Sequence, residues 1–151
     1  MEAVILSEPK MFTLFGFSKP HDQNQTYRTV MFELMDRVWE EVRNKKLSHT
    51  GINHVVYGAD HMMFAGIELT SPPKEDSLLE KKMVIFKKYA YCKHIGPYKD
   101  LDKTYRKVHS VLEASGEQPR SPQMEIYGHW HEDESKLETE IIFNLGDKEE
   151  F

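Results

Sequence analysis

The chain has 151 residues, 39% of them hydrophobic and 30% charged, with a net charge of −5 from 20 Lys+Arg against 25 Asp+Glu. That length suits one domain, with room for two similar halves, and the acidic balance argues against a phosphate-backbone binder, the one Lys cluster being Lys81, Lys82, Lys87 and Lys88. The single cysteine, Cys92, excludes an internal disulfide, and no leader or membrane span is evident, so a soluble cytoplasmic protein is expected.

Lys10 to Phe17, rich in aromatic residues, reads as the first strand. An amphipathic helix follows from about Thr26 to Lys46, where Tyr27, Met31, Leu34, Met35, Val38 and Val42 recur at three- and four-residue steps. Two strands come next, His54 to Gly58 and Met62 to Leu69. The segment 71–80, with Pro72 and Pro73 among polar residues, breaks helix and strand and reads as a linker. Beyond it the order repeats. Lys82 to His94 reads as a strand, and a helix carrying Leu101, Tyr105, Val108, Val111 and Leu112 opens behind Gly96-Pro97 and closes at Gly116. Strands at Glu125 to Gly128 and Leu137 to Leu145 complete the second half.

The halves align with a shift of about 70 residues at Tyr57/Tyr127 and Gly58/Gly128, and about 72 at Glu68/Glu140. The expected fold is therefore α+β: duplicated β-α-β-β units, about 4–70 and 82–146, in a single domain. They would form an antiparallel sheet with two helices on one face and a ligand groove on the other. Strand alternation sorts the side chains. Met63, Ala65, Ile67, Thr139, Ile141 and Phe143 are assigned to the helices, leaving Phe64, Glu68 and Glu140 opposite. In the strand before the last, Met124 and Ile126 are assigned inward, which sends Glu125 and Tyr127 to the groove. A groove with carboxylates from both halves and aromatics around them results.

Tyr91-Cys92-Lys93-His94-Ile95-Gly96-Pro97-Tyr98, the helix residues Leu101 and Tyr105, Glu125-Ile126-Tyr127 and Thr139-Glu140-Ile141-Ile142-Phe143 together resemble the GyrI-like family. This is the effector-binding domain of AraC-type and multidrug-responsive bacterial regulators. Phe64-Ala65-Gly66-Ile67-Glu68-Leu69 resembles its Gly-x-Glu strand, so the resemblance runs from about residue 4 to 146. It implies binding of small hydrophobic or cationic, drug-like ligands, with an acidic residue offsetting ligand charge. Carried onto this chain, Glu140 is the first candidate for that acid and Glu125 the second, with Glu68 behind them. Tyr98, Tyr127, Trp130, Phe64 and Tyr57 are the aromatic candidates. No DNA-binding helix-turn-helix segment is visible, so a stand-alone binder without direct nucleic-acid or membrane contact is expected.

The resemblance leaves two alternatives: hydrolysis of cyclopropane-bearing genotoxins, with Glu140 and Tyr127 as the reacting pair, or contact with DNA gyrase or a regulator protein. No cofactor or metal is called for. His129 and His131 share a strand face but lack a third fixed ligand, and suit a solvated strand end. Cys92 has no evident catalytic partner, and Trp39 is placed in the core beside Met35 and Val42.

Overall fold

In the computed structural model, which describes residues 1–147, eight strands pair in one antiparallel sheet. In chain order they are β1 (Val4–Leu6), β2 (Lys10–Pro20), β3 (His49–Tyr57), β4 (Met62–Leu69), β5 (Glu80–Phe86), β6 (Tyr89–Ile95), β7 (Arg120–Tyr127) and β8 (Glu138–Asn144). Two helices, α1 (Tyr27–Lys45) and α2 (Leu101–Ser115), interrupt them. Thr26 caps α1, accepting a bond from the Thr29 amide, and Gly116 ends α2 in a left-handed conformation that suits glycine. The antiparallel α+β fold matches the sequence expectation.

Lys82 to His94, expected as one strand, is two. Lys87 and Lys88 form a turn between β5 and β6, and the short β1 had no sequence signal strong enough to mark it. The sheet order, β1-β6-β8-β7-β3-β4-β2-β5, reads the same from either edge when β1 exchanges with β5, β2 with β6, β3 with β7 and β4 with β8. This is a pseudo-twofold arrangement. Each half lends its first strand to the edge of the other, and β3 and β7 pair at the centre.

The central register puts Val55 opposite Glu125, so at the offset of 70 shared by Tyr57 and Tyr127 these two are equivalent positions facing each other across the axis. The outer strands follow a different offset. Asn53 pairs with Ile67, whereas its equivalent Gln123 pairs with Phe143, which makes Phe64 the counterpart of Glu140. The Glu68/Glu140 match is thus corrected. The β7–β8 connection is longer than the β3–β4 connection, and an alignment by residue type slid across the insertion.

Both helices lie on one sheet face. Cross-strand partners point the same way, and Ala65, Val55, Glu125, Ile141 and Cys92 form one continuous row. Ala65 and Val55 pack with α1 through Leu34 and Val38; Ile141 and Cys92 pack with α2 through Val108 and Leu112. The other face, expected to hold the ligand groove, carries a buried apolar cluster that includes Leu14, Val56, Phe64, Phe86, Tyr89, Met124 and Ile142. Connectivity explains it. Phe86 and Tyr89 belong to strands near opposite edges, yet one two-residue turn joins them, so their Cα atoms lie within about 11 Å. The sheet must curl. Lys10 of β2 accordingly sits 5.2 Å from the ring of Tyr91 in β6.

Candidate ligand-binding groove

α1 packs over β2 and β4, and α2 over β6 and β1, which leaves the central pair β3–β7 as the floor of a groove between the helices. Floor residues are Asn53, Val55 and Tyr57 from β3 and Gln123, Glu125 and Tyr127 from β7. Tyr27 at the start of α1 and Tyr98 just before α2 stand over the floor from opposite sides. Tyr27 meets Tyr57 edge-on at 5.7 Å, and Tyr98 meets Tyr127 edge-on at 5.6 Å. The two contacts are pseudo-twofold copies of each other.

At the axis the symmetry is broken by charge, since one half contributes Val55 and the other Glu125. Glu125 is buried, only 5% exposed. Tyr57 and Tyr127 donate to its Oε1 at 2.8 and 2.9 Å, and Tyr105 of α2 donates to Oε2. Gln123 Nε2 in turn donates to the Tyr105 hydroxyl at 3.4 Å. Among the described residues no Lys, Arg or His forms an ion pair with Glu125. Burial, reinforced by the neighbouring carboxylate, pushes the Tyr57, Tyr105 and Tyr127 phenols well above their ordinary pKa, so all three remain donors.

Beside this centre a cleft of about 620 Å³ opens, lined by Tyr27, Tyr57, Gly58, Asp60, His61, Met62 and Gln123. That volume is in the range of small-molecule sites. His21 stacks on Tyr27 at 3.9 Å, and the Tyr27 hydroxyl lies 3.3 Å from His61 Nδ1, so the rim is aromatic as well. At the other end Trp39 of α1 donates from Nε1 to Asn53 Oδ1 at 3.0 Å. This indole is half-buried and packs on the α1 core, where the sequence placed it, with its N–H turned to the groove floor.

The sequence candidates divide. Glu125, Tyr127, Tyr57 and Tyr98 come together in the groove. Glu140 does not: Ile126 is its cross-strand partner, so it projects from the opposite face, where Tyr91 donates to it at 2.5 Å. Glu68 is on that face too, 3.5 Å from His54 Nε2, and Phe64 is sealed in the apolar cluster there. Trp130 lies 73% exposed on the β7–β8 connection, outside both buried clusters. Glu140 and Tyr127 are on opposite faces, so they cannot act as one reacting pair on a substrate. The misplacement has one source. Both sheet faces bury apolar side chains, so the apolar set Met124 and Ile126 faces away from the helices, and Glu125 faces them.

Tyr27 and Tyr105 are the groove residues that sequence reasoning missed, having been assigned to apolar helix stripes. The available signal was the phenol itself, because a buried tyrosine hydroxyl needs a partner that a helix stripe does not supply.

The model of the GyrI-like small molecule binding domain matches residues 12–145. The chain belongs to the GyrI-like family. It is a small-molecule binding domain, as the Tyr91–Tyr98 and Glu125–Tyr127 motifs suggest. No curated protein sequence matches it significantly. Among solved structures, the C-terminal domain of EcmrR is similar at TM-score 0.70 and 15% identity, covering 97% of this chain and 98% of that one. SAV2435 bound to tetraphenylphosphonium is similar at TM-score 0.63 and 17% identity, covering 97% and 94%. A hydrolase from Listeria innocua is similar at TM-score 0.55 and 14% identity, covering 96% and 92%. At these identities the likeness is one of fold. No described helix of this chain is long and apolar enough to cross a membrane.

Proposed function

We propose that the groove between α1 and α2 binds aromatic organic cations, with Glu125 as the charge that selects them. The observation that carries this is a nearly sealed carboxylate whose only side-chain hydrogen-bond partners among the described residues are tyrosine hydroxyls. Burying an unpaired charge is costly, and a cationic ligand recovers part of that cost on binding. The phenols also transmit the charge. A ring whose hydroxyl donates to a carboxylate becomes more electron-rich, so Tyr57 and Tyr127 present strengthened faces to a cation, while Tyr27 and Tyr98 offer edges and faces for planar groups. SAV2435, of the same fold, is bound to tetraphenylphosphonium, which makes that lipophilic cation the natural first probe.

The test is titration of the protein with tetraphenylphosphonium, followed by calorimetry, against a neutral tetraphenyl compound of equal size. Preference for the cation, lost in Glu125→Gln, is the expected result; equal binding of both would overturn the reading. The net charge of −5 keeps direct DNA binding outside this role. Contact with DNA gyrase or a regulator protein, like turnover of a strained electrophile, rests on the family resemblance alone.

A further inference from the structure

We propose that Asp60 makes this groove selective for dications, taking a second positive group at the cleft mouth while the first sits over the Glu125 tyrosines. The inference rests on the cation-binding reading above and adds a specificity residue to it. Asp60 lines the cleft together with Tyr57, to which it is joined through Gly58 and Ala59. Its side chain has no hydrogen bond or ion pair to another described residue, so the carboxylate is available.

Its position is imposed by the backbone. Asp60, at φ 56° and ψ 37°, and His61, at φ 61°, are consecutive non-glycine residues in the left-handed region, an arrangement that costs conformational energy at each. Two backbone bonds hold them there: Gly58 N–H to Met62 O at 2.8 Å closes the turn, and His21 N–H to His61 O at 2.7 Å ties it to the end of β2. A relaxed turn would not hold the carboxylate at the cleft.

The charges stand at different depths of the site. Glu125 lies opposite Val55, Tyr57 is two residues further along β3, and Asp60 follows in the turn beyond the strand end. Two residues of strand rise plus the turn give a separation on the order of 10–15 Å between the carboxylates. A rigid diaryl ligand carrying a cation at each end has that reach, and the aromatic walls Tyr27 and Tyr57 lie between.

The experiment compares the bis-amidine diminazene with its analogue in which one amidine is a neutral carboxamide, at mildly alkaline pH so that imidazole charge does not enter. Wild type should bind the dication about three- to tenfold tighter, a twofold statistical term multiplied by the about 1.4- to 5-fold of an exposed ion pair, and the ratio should shrink as salt is raised. Asp60→Asn, which suits the left-handed region equally, should bring the ratio down to about two, the statistical advantage of two equivalent amidines, with melting temperature verifying the fold. A ratio that survives in Asp60→Asn, or amidines that fail to bind while tetraphenylphosphonium binds, overturns the role of Asp60 alone. Failure of tetraphenylphosphonium as well overturns the cation-binding reading with it.

Discussion

Tyr57 and Tyr127, equivalent residues in the two halves of the chain, donate to the same oxygen, Oε1 of Glu125, at 2.8 and 2.9 Å. A duplicated fold places two copies of one side chain about its axis, and a single unduplicated residue at the axis, Glu125 where the other half has Val55, gives both copies the same task. The result is a symmetric aromatic surface around one negative charge.

If the symmetry is energetic as well as geometric, Tyr57→Phe and Tyr127→Phe should destabilise the protein equally. Each removes one hydrogen bond to a buried charged group, a loss of about 1–3 kcal/mol. Urea unfolding measures both. Values differing by more than about 1 kcal/mol would mean that the two bonds are not equivalent.

Glu125→Gln keeps the shape and removes the charge. Affinity for tetraphenylphosphonium should fall by about 1–3 kcal/mol, with a neutral isostere nearly unaffected. Stability should fall by about 1–3 kcal/mol, since the amide replaces charge-assisted bonds from three phenols and turns a donor towards one of them. Trp39, hydrogen-bonded to the groove floor through Asn53, is the natural reporter, with Trp130→Phe made first to remove the exposed indole. An equal loss for both ligands would assign Glu125 a structural role only.

Glu140→Gln is the matching control. Glu140 projects from the face opposite Glu125 and bonds Tyr91, so its charge lies behind the sheet from the groove. Tetraphenylphosphonium affinity should change by less than about 0.5 kcal/mol, the usual bound for a substitution away from a site. A loss comparable to that of Glu125→Gln would place the ligand on the far face and undo the groove assignment.

The strand and helix order was legible because each helix has a clean apolar stripe and ends at a cap such as Thr26 or Gly116. The position of the acid was less so. Alternation tells which residues share a face, but Met124, Ile126 and Ile142 are as apolar as Ile141 and Phe143, and only the cross-strand register shows which set the helices cover. That register depends on the long β7–β8 connection, where residue matching slipped, and on the curl set by Lys87 and Lys88, which turned an expected open face into core. Tyr57, Tyr98, Tyr127 and Glu125, which the structure gathers around one groove, were singled out because they occur in recognisable motifs, and Tyr105 was passed over because a tyrosine in a helix stripe reads as core.

His54 gives the last prediction. It is 1% exposed on the far face, with Nδ1 3.2 Å from Ile52 O and Nε2 3.5 Å from Glu68, and Phe12 packs against its ring. Burial outweighs those polar contacts and lowers its pKa from 6.5 to about 4. In the unfolded chain the imidazole titrates near 6.5, so between the two values the unfolded state binds the extra proton. Above the unfolded pKa the group has no effect. As pH falls from about 6.5 towards 4, stability should decline, by a total of about 3 kcal/mol once the folded pKa is passed. The carboxylates held below their ordinary range, Glu33, Asp76, Asp102 and Asp133, lose their ion pairs and hydrogen bonds only at the acid end of this window and beyond. Urea unfolding across the window, compared with His54→Gln, isolates the imidazole, and its ring proton shift by NMR reads the titration directly. A His54 resonance that titrates near 6.5 in the folded protein, or a variant with the same acid-side decline as wild type, would show that the buried ring takes its proton without cost.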